Sequence, residues 1–393
     1  MRKITLTFST LLSVLVLSCN KPEAPVDPEK PGTEEPGTNP EPEPEPEPTN
    51  SLLVVVGQEA VADKGIYDAV VWVDGKRFSF TDGEHDSFCN AVCTYKDSVF
   101  IAGTEAVGEL IDDGYYDPYN ANNGVVYSFR IGEEAKFRRV VHSDVVGNST
   151  ASGIAYSNGH VYTSGFDSPG FDRRALYWAD GKKHELTDGS TDALAYCIAA
   201  DGDDVYVGGY IQSKDFKKEG AAVIWKNGVA QKLTDVGVLA KVNRIVIENG
   251  HVYAAGAYRD QIKETSWQGA MWVDGELTLF TAPAGVEIGG LYVKDGKWTV
   301  NGQMTMSDKR ITACNWHSDG SVEELTPKGE LCQGLGIAVN GDDTYTLTSE
   351  YFLDYTTYEE YTKGHLWKNG EEVKLELGNS NDYTFWGLAV ARY

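Results

Sequence analysis

An aromatic residue that closes an apolar run just ahead of a tight-turn pair recurs seven times in this chain, at Trp72, Tyr127, Trp178, Trp225, Trp272, Trp316 and Trp367. Successive copies are 44 to 55 residues apart. The clearest copy reads Gly269-Ala-Met-Trp-Val-Asp-Gly275, Leu277-Thr-Leu-Phe-Thr281 and Leu291-Tyr-Val-Lys-Asp-Gly-Lys-Trp-Thr-Val-Asn-Gly302. A self-similar unit of this length cannot bury its apolar face alone and must stack on its neighbours. The period therefore constrains the architecture more tightly than composition does.

The copy beginning at Asp192 shows what one unit contains. Ala195-Tyr-Cys-Ile-Ala-Ala200 and Asp204-Val-Tyr-Val-Gly-Gly209 flank a turn at Asp201-Gly-Asp203. A longer connection leads to Ala221-Ala-Val-Ile-Trp-Lys226, a turn at Asn227-Gly228 and a short strand around Gln231 to Thr234. These read as four strands, A to D. Asx-Gly pairs such as Asn158-Gly159, Asn249-Gly250 and Asp295-Gly296 join A to B, and Asp74-Gly75, Asp180-Gly181, Asp274-Gly275, Asp319-Gly320 and Asn369-Gly370 join C to D. Such pairs are the strongest short hairpin signal, because Asn, Asp and Gly tolerate the positive φ of these turns. Connections in an antiparallel meander alternate between ends, so the tight turns share one face and the longer B–C and D–A connections share the other.

Repeated four-stranded units of this period are the signature of a β-propeller. The expected fold is all-β, a seven-bladed β-propeller with 1+3 closure of the last blade by the N- and C-terminal strands. Phe385-Trp-Gly-Leu-Ala-Val-Ala391 reads as an A strand with no B after it, and Ser51-Leu-Leu-Val-Val-Val-Gly57 as a B strand with no A before it. Strands near Ala69–Val73 and Phe78–Thr81 complete that blade. Sharing a blade between termini hides edges that an open ring would expose.

Val205-Tyr-Val-Gly-Gly-Tyr210 is similar to the double-glycine strand of kelch repeats, but other copies read Ala-Gly, Ser-Gly or Asn-Gly, and the Trp lies on a different strand. The Gly-His and Trp-Asp pairing of WD40 repeats is missing. With its Trp-Asx-Gly signature the chain most resembles the propeller lipoproteins of Bacteroidetes. That resemblance implies a fold and an address, and no activity.

The N-terminal 50 residues read differently. Arg2 and Lys3 precede an apolar run, Leu11 to Leu17, too short to span a bilayer as a helix. The run ends in Val16-Leu-Ser-Cys19, which resembles the lipobox of bacterial lipoprotein precursors. The resemblance implies that residues 1–18 are a signal peptide and that Cys19 becomes a lipidated first residue; an ordinary signal peptide with an incidental cysteine is the alternative. Asn20 is not the Asp of the inner-membrane retention signal, which points to the outer membrane, with display on the cell surface left open. Between Asn20 and Asn50 lie ten of the fourteen prolines, nine acids and two lysines. Such a stretch has nothing apolar to bury and repels itself. Residues 19–50 are thus expected to be a lipidated, disordered tether, extended at about 3 Å per residue, and residues 51–393 the propeller.

The formal charge of −25 is concentrated in that body. An acidic body repels a phosphate backbone, which argues against a nucleic-acid partner. Five cysteines remain once Cys19 is lipidated, an odd number. Cys89 and Cys93 lie four apart on one strand, about 13 Å by strand rise, too far for a mutual disulfide. Small buried thiols are the expectation for all five.

Chemical motifs are sparse. Asp201-Gly-Asp-Asp204 and Asn340-Gly-Asp-Asp343 sit where turn geometry demands Asp and Gly, and neither is followed by a calcium-loop Glu. The histidines show no zinc spacing. His160 and His251 recur at the start of strand B, while His85 and His142 fall in D–A connections near the channel mouth. Nucleophile motifs are absent. No cofactor or metal is expected.

Aromatic residues crowd the B–C connections: Tyr115, Tyr116, Tyr119, Phe166, Phe171, Tyr210, Phe216, Tyr258, Trp267, Tyr351, Phe352, Tyr355, Tyr358 and Tyr361. Tyr and Trp offer stiff contact area with a polar handle, which suits sugars and peptides; packing of the loops on themselves is the competing explanation. Aligned A-strand positions near the channel mouth read Asn90, Ser152, Tyr196, Asn243, Gly289, Leu335 and Trp386, an unequal ring. The binding candidates are Tyr115, Tyr116, Tyr119, Phe171, Tyr210, Tyr258, Trp267, Tyr355, Trp386, Asn90, Tyr196 and Asn243. The sequence thus leads to a monomeric, outer-membrane-anchored propeller that binds a glycan or a peptide or protein ligand without chemistry. A glycan hydrolase or lyase using loop acids with His85 or His142, and a scaffold subunit of an envelope complex, are the alternatives.

Overall fold

The computed structural model describes residues 50–61, 64–111, 119–142, 145, 148–168, 173–212, 220–234, 238–260, 266–281, 284–325, 331–353 and 360–393. The expected signal peptide, Cys19 and the tether up to residue 49 lie outside them. The unit Glu47–Tyr393 is all-β, with no helix among the described residues.

The first three strands are β1 (Ser51–Val61), β2 (Ile66–Val73) and β3 (Lys76–Ser79). Five separate four-stranded meanders follow. They comprise β4 (Ser87–Tyr95), β5 (Ser98–Ile111), β6 (Tyr119–Arg130) and β7 (Arg138–Val141); then β8 (Asn148–Ser157), β9 (His160–Ser168), β10 (Arg174–Ala179) and β11 (Lys182–Glu185). Next come β12 (Asp192–Asp201), β13 (Asp204–Gln212), β14 (Gly220–Lys226) and β15 (Val229–Lys232), and β16 (Val238–Glu248), β17 (His251–Asp260), β18 (Gln268–Val273) and β19 (Glu276–Leu279). The fifth is β20 (Glu287–Lys294), β21 (Lys297–Thr305), β22 (Ile311–His317) and β23 (Val322–Glu324). The chain finishes with β24 (Cys332–Asn340), β25 (Asp343–Leu353), β26 (Glu360–Lys368), β27 (Glu371–Val373) and β28 (Tyr383–Arg392). β28 pairs antiparallel with β1, and one parallel pair, Lys363 with Tyr383, joins its sheet to β26. Each innermost strand lies against the next: β4 on β8, β8 on β12, β12 on β16, β16 on β20, β20 on β24, β24 on β28 and β28 on β4. Meandering sheets set side by side around their innermost strands make this a β-propeller.

The turn chemistry follows the sequence closely. Asn227 and Gly228 have φ of 50° and 82°, as a two-residue hairpin of this kind requires. The Asx side chain has a second use. Oδ1 of Asp180, Asn227, Asp274 and Asn369 accepts the backbone N–H at the start of the adjacent B strand, from Val161, Val205, Val252 and Thr344, at 2.8 to 2.9 Å. His160 and His251 pair with the same Asp180 and Asp274, at 2.6 and 2.7 Å, which accounts for their recurrence. Asp319-Gly320 departs from the expected two-residue turn: His317 N bonds to Ser321 O and only Gly320 has positive φ, a three-residue loop with a glycine bulge.

The repeated aromatic is a staple between sheets. Trp72, Trp178, Trp225 and Trp272 are fully buried, with Tyr127 and Trp316 nearly so. Tyr127 packs on Phe80 of the preceding sheet, and the others share a buried cluster with residues of the sheet before them: Trp72 with Leu347 and Leu366, Trp225 with Tyr177, Trp272 with Ile224 and Trp316 with Met271. Trp178 stacks face to face on His142, ring centroids 4.1 Å apart. Trp367 is only half-buried and bonds Thr348 Oγ1 through its indole N–H. Cys89, Cys197, Cys314 and Cys332 are buried, and Cys93 keeps partial exposure.

Candidate functional site: the central cavity

Every innermost strand carries the same defect. The pairing of β4 with β5 skips Asn90, that of β8 with β9 skips Ser152, and the later sheets skip Tyr196, Asn243, Gly289, Leu335 and Trp386. A β-bulge leaves one residue without a partner and bends the strand at that point. The ring of positions aligned from sequence is therefore the ring of bulges. It surrounds a cavity of about 200 Å³ whose walls include Asn90, Ser152, Tyr196, Gly289, Leu335 and Trp386. On β16 the bulge residue Asn243 is not part of the wall, which there consists of Arg244 and Ile245, at the positions that Ala91 and Val92 hold on β4.

The ring is chemically unequal. Asn90 is committed to structure, its amide donating to Thr104 Oγ1 at 3.0 Å and Ala151 O at 2.8 Å. Tyr196 is largely enclosed, and burial pushes its phenol pKa up to about 12. Trp386 remains 36 % exposed, its indole N–H held by Gln58 Oε1 at 3.0 Å. Gly289 and Gly334 have no room for a side chain, because a Cβ on Gly289 would overlap Gly334 O. Arg244 donates to Gly289 O and Asn243 O, both at 2.8 Å, and no carboxylate pairs with it among the described residues. Burial without an anion lowers its guanidinium pKa.

The charged groups on the flanking strands are already matched. Arg173 grips Asp192 at 2.6 and 2.8 Å, and Tyr210 joins them through its hydroxyl. Burial raises the pKa of Asp192, but the Arg173 pairing outweighs it and holds the carboxyl below the usual range. Lys241 pairs with Glu287 at 2.7 Å.

Several candidates read as loop residues are strand residues. Tyr210 lies in β13 and Tyr258 in β17, because strands B and C extend past their expected ends into hairpin arms. Tyr258 packs on the cluster around Trp272, and Trp267 is flanked by Arg259 and Lys241 at 5.2 and 5.7 Å from its ring. Both are thus tied into the fold. Tyr115, Tyr116, Phe171 and Tyr355 lie outside the described residues, as does the side chain of Tyr119. His142 is not at the mouth. It is 3 % exposed, extends the edge of β7 and lines a gap of about 270 Å³ between two sheets with Phe100, Val126 and Thr163. His85 is exposed. No group of three or more His, Cys, Asp or Glu side chains suited to a metal occurs among the described residues.

Arg244 is the cavity residue that alignment of the repeats passed over. The available signal was a lone cation inside the apolar A-strand run Val242-Asn-Arg-Ile-Val246.

No protein-family model and no curated protein sequence matches the chain. Among solved structures, it is similar to the β-propeller domain of the Trilobed protease from Pyrococcus furiosus, at 12% identity over 84% of this chain and 95% of that one, with a TM-score of 0.49. Trypanosoma rangeli sialidase in complex with sialic acid matches at 9% identity over 85% of this chain and 56% of that one, with a TM-score of 0.44. Pyrococcus horikoshii acylaminoacyl peptidase matches at 13% identity over 79% and 58%, with a TM-score of 0.40. The chain spans just over half the length of the sialidase and the peptidase. Similarity at this level assigns neither an activity nor a ligand to the present chain.

Proposed function

We propose that this protein is a lipid-anchored, seven-bladed propeller that recognises a glycan or a peptide at the mouth of its central cavity and performs no chemistry there. The observation that carries the reading is the unequal ring of bulge residues: Asn90, Ser152, Tyr196, Gly289, Leu335 and Trp386 line one cavity, with Arg244 beside the seventh bulge and the Trp386 indole half open to solvent. A purely structural axis has no need of such variety, and a stiff, partly exposed indole beside polar groups suits a sugar face or a peptide side chain. Contact of β28 with both β24 and β4, and its pairing with β1, favours a ring of seven blades with 1+3 closure.

Anchoring through Cys19 to the outer membrane, with residues 19–50 as spacer, rests on the lipobox-like Val16-Leu-Ser-Cys19 and the Pro-Glu run. Two or three acyl chains would hold the protein firmly. Labelling with a fatty-acid probe, lost in Cys19→Ala, checks this part.

The recognition reading is tested by probing glycan and peptide arrays with the purified protein and repeating any positive with Tyr196→Ala, Trp267→Ala and Trp386→Ala. At least one binder is expected, weakened about tenfold or more by Trp386→Ala. Binding that survives all three changes would refute the cavity-mouth assignment, and release of a product from a bound glycan would replace recognition with catalysis.

A further inference from the structure

We infer that the central cavity is a receptor for an anionic sugar, with Arg244 as the group that takes the charge; this inference rests on the recognition reading above and names its ligand class. Arg244 is placed by its bulge so that it lines the cavity of an acidic protein. A guanidinium carries five N–H donors in a fixed fork. Two of its nitrogens donate to backbone carbonyls, Gly289 O and Asn243 O, and neither carbonyl carries a formal charge to balance the cation.

A cation that ordinarily demands a partner when buried is thus oriented by dipoles and left uncompensated among the described residues. Asp192 on β12 and Glu287 on β20 do not fill that role, being held by Arg173 and Lys241. The cavity's charge therefore matches an incoming anion. Burial of the guanidinium, which already lowers its pKa, strengthens its attraction for such a group.

The rest of the wall favours a sugar over a bare carboxylate. Trp386 presents a half-exposed indole whose orientation is fixed by Gln58, a surface for the C–H face of a pyranose. Ser152 and Tyr196 add hydroxyls to the wall. A cavity of about 200 Å³ has space for one ring rather than a folded chain. An anionic ring that meets the guanidinium fork with its charge and Trp386 with its apolar face satisfies both at once.

The test is calorimetric titration of the purified full-length protein with galacturonate, glucuronate, galactose 6-sulfate, their neutral parents galactose and glucose, acetate, and a short peptide with a free C-terminus. Wild type is compared with Arg244→Lys and Arg244→Gln, each checked for a native circular-dichroism spectrum. At least one acidic sugar is expected to bind tenfold or more tightly than its neutral parent. Arg244→Gln is expected to weaken it about ten- to hundredfold, and Arg244→Lys less. Preference for the uronates or for the sulfate ester tells which anion the fork takes.

Equal binding of acidic and neutral sugars, no binding of any acidic sugar to wild type, or full binding by folded Arg244→Gln would overturn the inference. Acetate or the peptide binding as tightly as the best acidic sugar would overturn the sugar assignment. Should Arg244→Gln not fold, the acid-to-neutral ratio in wild type and the Arg244→Lys titration decide. The two readings fail separately: array binders that are neutral and indifferent to Arg244 leave recognition standing, whereas array ligands that survive Tyr196→Ala, Trp267→Ala and Trp386→Ala alike overturn the mouth assignment whatever the titrations give.

Discussion

Gly165 in β9 lies so close to Thr150 in β8 that a Cβ on the glycine would overlap the threonine carbonyl oxygen. Gly57, Gly103, Gly209, Gly256 and Gly302 stand in the same relation to Thr384, Phe88, Leu194, Lys241 and Glu287. In each case the crowded carbonyl belongs to the strand segment just ahead of the bulge that turns a residue toward the cavity. The B-strand glycine and the cavity-lining residue are thus two halves of one device: the close approach allows the bulge, and the bulge aims the residue.

Gly165→Ala is expected to destabilise the protein by about 3 kcal/mol or more, because the clash is with backbone and no rotamer relieves it. Gly256→Ala should behave alike. Urea or thermal unfolding checks both, and a change within about 0.5 kcal/mol would show that the bulge does not need the glycine.

Trp225 is fully buried between two sheets, whereas Trp386 is half open. Trp225→Ala should cost about 3–5 kcal/mol. Trp386→Ala should leave the unfolding midpoint nearly unchanged while weakening ligand. Measuring both unfolding curves separates the stapling aromatics from the recognising one.

Asn227→Gly keeps a residue that tolerates φ near 50° but removes the side chain that accepts from Val205 N and donates to Asp204 Oδ1. The loss should be about 1 kcal/mol. Asn227→Ala should lose a further 1–2 kcal/mol or so, from the left-handed backbone. If the two variants unfold alike, the turn does not depend on that conformation.

His142 is buried against Trp178, and burial lowers its pKa from 6.5 to about 4. Its neutral form suits the fold, so the stability it protects is complete above pH 6.5 and drains away as pH falls toward 4. The full loss is roughly 3 kcal/mol. His142→Phe, which preserves a flat ring on Trp178, should flatten the stability profile across that window. An unchanged profile in unfolding titrations would place the acid sensitivity elsewhere.

Strands, turns and staples were legible in the sequence because each is dictated locally. Asn227-Gly228 specifies its turn wherever it occurs, and Trp225 closes its strand in a pattern visible without coordinates. The bulges were half legible: aligning Asn90, Tyr196 and Trp386 found the ring, though not that these residues lack strand partners. Arg244 escaped because it sits one residue past the bulge, a position that the other innermost strands fill with small residues such as Ala91, Gly153 and Gly290, so the repeat shows no polar pattern there. His142 was misplaced because its surroundings, Trp178 and Thr163, come from the following sheet. Tyr210 and Tyr258 were assigned to loops because strand ends carry no local stop signal where a hairpin arm continues.

The most direct test of the account is hydroxyl-radical footprinting of the protein, free and saturated with its best array ligand, read residue by residue. Ligand-dependent protection of Trp386 and Tyr196 at the cavity is expected, with Val229, Leu277 and Val322 on the outer strands unchanged. Protection confined to those outer residues, or to Tyr95 at the tight-turn face, would contradict it.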